Sequence, residues 1–264
     1  MIATMRSLRA PALRVPALRL TVLLVGLLSV FAARVNAGLL DPNHLPTFTM
    51  TAEGSPNPWT WTPPVSAFEL HPEGYQLRNV YQANGVCDDR ADIKVDLLRF
   101  NPDPFVLNNV LVTNTTTSTQ IFSAFVGLPT TFAAPNLISG TINTSIIEGG
   151  TDSATIATVS PTAIYQAQID FVTVATLQNH PFSLTTTSAT SSLASFGPIV
   201  SAVPVTSNIG IQLRFSLSPG DTASILSRFD VVAVPEPASA AFVGTMLVLT
   251  GTTGTFSRGR RRHA

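Results

Sequence analysis

GIQLRFSL, residues 210–217, gives the clearest secondary-structure signal in this 264-residue chain. Every second side chain in it is apolar, and these side chains are Ile211, Leu213, Phe215 and Leu217. Successive side chains of a β-strand point to opposite faces, so the four apolar groups share one face while Gln212, Arg214 and Ser216 share the other. The segment therefore predicts a β-strand with one buried face.

The same alternation, or a run of β-branched residues, recurs in the middle of the chain. The further strand candidates are 93–100, 108–116, 119–128, 136–147, 153–160, 163–177, 182–187 and 223–234. Turn sequences such as NPDP (101–104) and SPGD (218–221) separate them. About nine strands at this spacing predict an all-β protein with a single antiparallel β-sandwich, immunoglobulin-like or jelly-roll-like, over residues 38–233.

Charge divides the chain into a central part and two basic ends. Residues 38–234 carry six basic and fourteen acidic side chains, a net charge of −8. The remaining nine of the fifteen Lys and Arg residues lie outside this part. Because phosphate binding requires clustered Lys and Arg, the acidic body argues against nucleic acid as a partner.

The N-terminus predicts export. A basic segment without acids precedes the apolar run LTVLLVGLLSVFAA (20–33), and the small residues Val35 and Ala37 place a cleavage site between Ala37 and Gly38. We interpret residues 1–37 as a signal peptide with an apolar helix; the alternative is a short membrane anchor. The segment lacks an Arg-Arg pair, which indicates export of an unfolded chain that carries no cofactor.

The C-terminus, residues 234–264, predicts a membrane-anchored precursor. Ala238–Phe256 contains nineteen uncharged residues, enough for one transmembrane helix. A basic cluster follows, formed by Arg258, Arg260, Arg261 and Arg262. Cytoplasmic flanks are enriched in Lys and Arg, so the body should lie outside the inner membrane. Pro235 and Pro237 should keep the peptide before the helix extended and accessible to a protease.

This arrangement resembles the PEP-CTERM sorting signal of exported bacterial proteins. The matching features are Val234-Pro235-Glu236-Pro237, the apolar run and the basic cluster Arg258–Arg262. The resemblance implies cleavage by an exosortase, an integral-membrane cysteine protease, in organisms that make exopolysaccharide. The product would then reach the cell surface or the extracellular space. The alternative is an ordinary tail anchor.

The body also resembles a loose group of uncharacterised PEP-CTERM proteins from Asn101 onward. The residues that carry this resemblance are Asp103-Pro104-Phe105, VLVTNTT (110–116), IYQAQID (164–170) and NIGIQLRFSLSPGDTAS (208–224). It implies a shared sandwich and secretion, and it implies no activity.

Sequence motifs give no support for catalysis. Cys87 is the single cysteine, which is typical of a small buried apolar residue rather than a nucleophile. Four aspartates, Asp88, Asp89, Asp92 and Asp96, carry the oxygen ligands that calcium prefers, but their spacing is not that of a calcium loop and favours a solvated charged loop. No zinc, serine-hydrolase or phosphate-loop motif occurs, so we expect no catalytic residues, metal or cofactor.

Two function classes follow. The first is a non-enzymatic protein of the cell surface or extracellular matrix, associated with exopolysaccharide. The second is a carbohydrate-binding or carbohydrate-cleaving module, in which Trp59 and Trp61, two residues apart on one strand face, would contact glycan. Aromatic side chains dominate cores, so one Trp filling the core and the other covering an edge is the competing interpretation. Joint exposure of both with Tyr165 would favour the glycan surface.

Overall fold

The computed structural model describes residues 40–101, 104–149 and 152–234. Several predicted features lie outside these residues. They are the signal peptide with its cleavage site Ala37–Gly38, the motif residues Pro235, Glu236 and Pro237, the C-terminal span, and Arg258, Arg260, Arg261 and Arg262. In the described part of the chain, no helix is long and apolar enough to cross a bilayer.

The described residues form an all-β fold of two antiparallel sheets, as predicted. In chain order the strands are β1 (Thr47–Ala52), β2 (Trp59–Trp61), β3 (Phe68–His71), β4 (Gly74–Leu77), β5 (Tyr81–Gly85), β6 (Ala91–Asn101), β7 (Phe105–Asn114), β8 (Gln120–Pro129), β9 (Asn136–Ile147), β10 (Ala154–Ala157), β11 (Tyr165–Ile169), β12 (Val172–Leu177), β13 (Ser183–Thr186), β14 (Ala189–Ser201), β15 (Asn208–Leu217) and β16 (Thr222–Ala233). Short 3₁₀ helices span Pro42–His44 and Val65–Ala67.

Each sheet has eight strands. Sheet A runs β12-β11-β15-β8-β1-β2, with β10 pairing to β15 and to β13. Sheet B runs β14-β9-β16-β7-β6-β4-β3, with β5 pairing to β6. The apolar faces of both sheets contribute to one hydrophobic core. β16, the last strand, therefore lies in the middle of sheet B between β7 and β9.

The alternation in GIQLRFSL correctly predicts which side chains of β15 are buried. The four apolar side chains Ile211, Leu213, Phe215 and Leu217 are fully buried in the core. Gln212, Arg214 and Ser216 lie on the other face and are partly exposed. β15 is bordered by β8 on one side and by β11 and β10 on the other, so its buried face lies within the sheet rather than at its edge.

The structure has sixteen strands where the sequence predicts about nine, and one predicted strand is wrong in its extent. Residues 163–177, predicted as one strand, form β11 and β12, which pair as a hairpin through the two-residue turn Asp170-Phe171. Both turn residues have left-handed backbone conformations, with φ of 50° and 65°. This is the conformation that closes a two-residue hairpin, although Asn or Gly usually provides it. The thirteen residues of β14 were not predicted as a strand at all.

Candidate functional site

The last described strand ends immediately before the predicted sorting motif. β16 runs to Ala233, and the backbone N–H of Val234 donates to the carbonyl oxygen of Pro135 at 3.1 Å. In sheet B this bond continues the pairing of β16 with β9, where Ala233 lies opposite Asn136. Among the described residues, Val234 is thus the last that bonds to a neighbouring strand of sheet B.

Trp59 and Trp61 share one face of β2, as predicted, and a third aromatic residue joins them. The rings of Trp61 and Tyr81 are stacked, with centroids 3.9 Å apart and planes 17° apart. Trp59 lies 6.4 Å from Trp61 and 6.0 Å from Tyr81. We call Trp59, Trp61 and Tyr81 the edge aromatic cluster. All three rings are partly buried against the core and partly exposed.

The edge aromatic cluster joins the two sheets at one side of the sandwich. β2 is the edge strand of sheet A, and its Trp61 lies opposite the buried Phe48 of β1, with ring centroids 5.7 Å apart. Tyr81 lies on β5, which belongs to sheet B. The three rings thus cover core side chains that would otherwise be exposed to water at this edge of the sandwich. Tyr165 is fully buried elsewhere in the core, so it is not exposed together with Trp59 and Trp61, and the joint exposure that would favour a glycan surface is not found.

A left-handed turn lies beside this cluster. Cys87, Asp88 and Asp89 all have positive φ, between 55° and 59°. Consecutive left-handed residues other than glycine are rare because Cβ approaches the following carbonyl oxygen. Cys87 is buried, as predicted, and its thiol donates to the Met50 carbonyl oxygen of β1 at 3.4 Å. Burial raises the pKa of the Cys87 thiol, which disfavours the thiolate that a nucleophile requires.

Three of the four aspartates in the segment 88–96 are engaged by neighbouring groups. Asp88 accepts hydrogen bonds from the Ser55 hydroxyl and the Asn57 amide, both at 2.6 Å, and these bonds lower its pKa. Asp92 accepts from the Gly85 N–H at 2.9 Å, and Lys94 lies 2.7 Å from Asp96. Among the described residues, no three His, Cys, Asp or Glu side chains converge on a metal-binding geometry. The segment links the β1–β2 loop to the start of β6.

Arg90 strengthens the same link. Its guanidinium donates to the carbonyl oxygens of Glu53 and Gly54 at 3.2 and 3.3 Å, and to the Gln120 side chain at 3.2 Å. Glu53 and Gly54 belong to the β1–β2 loop, and Gln120 begins β8. Arg90, which lies among the aspartates in the sequence, thus connects its own segment to the β1–β2 loop and to the start of β8.

An ionic cluster occupies the outer face of sheet B. Glu73, in the β3–β4 turn, accepts from Arg99 at 2.7 Å and lies 3.9 Å from Arg228. Arg228 also binds Asp230 at 2.6 Å and lies over the Phe105 ring at 4.4 Å. The hydrogen bond from Arg99 lowers the pKa of Glu73, against a smaller opposing effect of burial. Both carboxylates are neutralised by arginine, so this surface does not present a free acid/base pair.

Asp170 is the most strongly held carboxylate of the described residues. Its two oxygens accept five hydrogen bonds of 2.7–2.9 Å from the backbone and side chains of Thr206 and Ser207 and the backbone of Asn208. Burial raises the pKa of Asp170, but these hydrogen bonds together outweigh it, so the pKa lies well below the ordinary range. Asp170 therefore fixes the β11–β12 turn to the start of β15.

No protein-family model matches the chain, and no curated protein matches it.

Proposed function

We propose that this protein is a non-enzymatic component of the bacterial cell surface or extracellular matrix, sorted by a C-terminal signal that an exosortase cleaves. The observation that carries the proposal is the position of Val234. The last backbone hydrogen bond of sheet B that we describe is donated by the residue with which the motif Val234-Pro235-Glu236-Pro237 begins. Cleavage within the motif, after Val234, would remove none of the strands or buried side chains that the structure describes.

The rest of the sequence fits this proposal. An apolar signal helix ending at Ala37 would start export, and the span Ala238–Phe256 would hold the precursor in the inner membrane until cleavage. The basic cluster Arg258, Arg260, Arg261 and Arg262 would keep the tail in the cytoplasm. The acidic body would then be released to the cell surface or the medium, near exopolysaccharide.

The strand pairing supports a jelly-roll type of sandwich for this body. In sheet B, β7, β16, β9 and β14 are successive neighbours, and in sheet A, β8, β15, β10 and β13 are. The eight strands thus form four antiparallel pairs, each between an earlier and a later strand: β7 with β16, β8 with β15, β9 with β14, and β10 with β13. Such nesting of the first strand with the last is the pattern of a double-sheet jelly roll. A fold of this kind implies no particular chemistry.

The experiment replaces Pro235-Glu236-Pro237 with three alanines in a bacterium that makes an exosortase. The variant is expected to accumulate at full length in the membrane fraction, whereas the wild-type protein loses its tail. Pro64→Ala, at an exposed proline of the body, is the matched control and should be processed normally. The proposal fails if mass spectrometry of the wild-type exported protein finds Arg262-His263-Ala264 at its C-terminus.

A second candidate function is glycan binding at the edge aromatic cluster. Partial exposure of the three stacked rings Trp59, Trp61 and Tyr81 favours it, since aromatic faces at a protein surface can stack on sugar rings. Trp59 and Trp61 are the two tryptophans of the chain, so tryptophan fluorescence reports on this site alone. Titration with exopolysaccharide from the producing organism should change the fluorescence, and Trp59→Ala should weaken binding. An unchanged spectrum at saturating polysaccharide would contradict glycan binding, and the cluster would then serve to cover the core at this edge.

A further inference from the structure

β14 forms a long edge of sheet B. It spans Ala189–Ser201 and pairs with β9 on one side only. The pairing is regular from Ala189 to Phe196 and shifts register between Phe196 and Ile199. The regular part therefore presents eight residues of extended strand at the side of the sandwich.

On the other side of this strand, none of the strands that the structure describes pairs with its backbone groups. The Glu148 N–H donates to the Ser188 carbonyl oxygen, so the backbone carbonyl of Ser188 faces the β9 side. This bond determines which residues of β14 face β9 and which face away. Residues of an antiparallel strand alternate between bonding to one neighbour and to the other. The residues bonded to β9 are therefore Thr190, Ser192, Ala194 and Phe196. The N–H and C=O groups of Ala189, Ser191, Leu193 and Ser195 point away from β9.

Charged side chains are absent from the strands at this edge of the sandwich, β12, β13 and β14. The sequence from Phe171 to Leu213, which includes β12, β13 and β14, contains no Asp, Glu, Lys or Arg. Natural sheet edges are commonly protected by charged side chains, and β3 at the opposite end of sheet B carries Glu69. Since residues 38–234 carry a net charge of −8, this edge is where two copies can approach with least repulsion.

Apolar side chains are exposed on the same strand. Leu193 is 76 % exposed and Val200 is 69 % exposed. Leu193 lies at the centre of the segment Ala189–Gly197 and belongs to the set whose backbone groups point outward. A second strand with the same sequence would satisfy those groups and cover this leucine.

We propose that β14 pairs antiparallel with β14 of a second copy of this chain about a two-fold axis at Leu193. Leu193 then lies opposite Leu193 of the second copy, and Ser191 lies opposite Ser195. This arrangement joins the two copies of sheet B into one continuous sheet. A two-fold pairing is closed, because each copy uses the same edge. The proposal is independent of how the C-terminal tail is processed.

The test is disulfide crosslinking of the full chain in intact cells. Leu193→Cys should give a disulfide-linked dimer on oxidation, because opposed Cα atoms in an antiparallel pair lie about 4.5–5.5 Å apart, within disulfide range. Leu70→Cys is the matched control: Leu70 is 63 % exposed on β3, the opposite edge strand, and should not crosslink. Cys87 is buried, so the wild-type chain should also remain uncrosslinked.

A second measurement uses the extracted full chain in mild detergent with light scattering. Leu193→Lys places two like charges opposite each other at the axis and should raise the dissociation constant of the dimer by at least about tenfold, whereas Leu70→Lys should not. A monomeric wild-type protein overturns the proposal. So does a dimer that Leu193→Lys leaves intact, or a Leu193→Cys crosslink to a protein of different mass.

Discussion

The hydroxyl group of Tyr165 donates a hydrogen bond to the backbone carbonyl oxygen of Arg228 at 2.9 Å. Tyr165 belongs to β11 of sheet A and Arg228 to β16 of sheet B, so this bond crosses the core and connects the two sheets directly. The Tyr165 side chain is fully buried, and its hydroxyl lies close to Gly140, where a Cβ atom would be only 2.6 Å away. The core thus contains one polar bond at a place where a larger residue on β9 would not fit.

Tyr165→Phe should remove this bond while keeping the ring. A buried hydrogen bond between neutral groups contributes about 1 kcal/mol, so the melting temperature should fall by about 2–4 °C. Burial, together with the Asp230 carboxylate, raises the pKa of Tyr165 above its ordinary value, so the folded protein keeps the phenol neutral. Wild-type stability should therefore decline as pH rises above about 10, and Tyr165→Phe should lack that part of the decline. Tyr81→Phe, at a partly exposed ring, is the control.

Asp170→Asn should destabilise the β11–β12 turn without changing its backbone, since asparagine tolerates left-handed conformations. The amide group cannot accept all five hydrogen bonds, and hydrogen bonds to a charged group contribute about 1.5–3 kcal/mol each at most. We expect a loss of about 1–3 kcal/mol at pH 7. Because the pKa of Asp170 is lowered by folding, the contribution is present above about pH 4 and disappears as pH falls. Denaturation at pH 7 and pH 2.5 should show the two proteins converging in acid; a constant difference would contradict this account.

Asp88→Ala should loosen the β1–β2 loop locally. Its carboxylate holds Ser55 and Asn57, and the other contacts of the sheets remain. Hydrogen exchange followed by mass spectrometry should show faster exchange in residues 53–58 and unchanged exchange in β15. Asp96→Ala, which removes only a contact to Lys94, should leave the loop unaffected. Equal exchange in Asp88→Ala and wild type would mean that the loop is held by other contacts.

Glu73→Gln should have little effect on stability despite its contacts with two arginines. Glu73 is about half exposed, and ion pairs of this kind contribute about 0–1 kcal/mol in water. The small difference that remains should decrease as salt is added, because screening weakens exposed pairs. Chemical denaturation at low and high ionic strength measures this. A loss well above about 1 kcal/mol would indicate that the ionic cluster on sheet B is more strongly coupled than its exposure implies.

The sequence predicts β15 well because its two faces differ sharply in polarity. It does not predict the break between β11 and β12, because the turn Asp170-Phe171 contains neither Gly nor Pro, and its conformation depends on hydrogen bonds from residues 206–208. β14 is missed because its sequence is typical of a loop. Its run of serines and its Gly197-Pro198 pair are typical of loops, and only the pairing with β9 makes the segment a strand.

In the candidate sites, too, relations between residues close in sequence could be predicted, and those between distant residues could not. The relation of Trp59 to Trp61 is local and could be predicted from their spacing. Tyr81 comes from the other sheet and twenty residues further along, so no periodicity could bring it to the cluster. The end of β16 next to Val234 could be predicted because the strand 223–234 is continuous in its alternation up to the first proline.

The central place of β16 has a consequence for the order of events during synthesis. A chain emerges with its N-terminus first, so β7 and β9, the two neighbours of β16 in sheet B, are both complete long before their shared partner exists. Until Ala233 is available, each presents an unpaired side, and the N–H and C=O groups there must be satisfied by water. The sandwich can therefore close only when nearly the whole body has been made. Cooperative folding of the described body thus waits until β16 has been made.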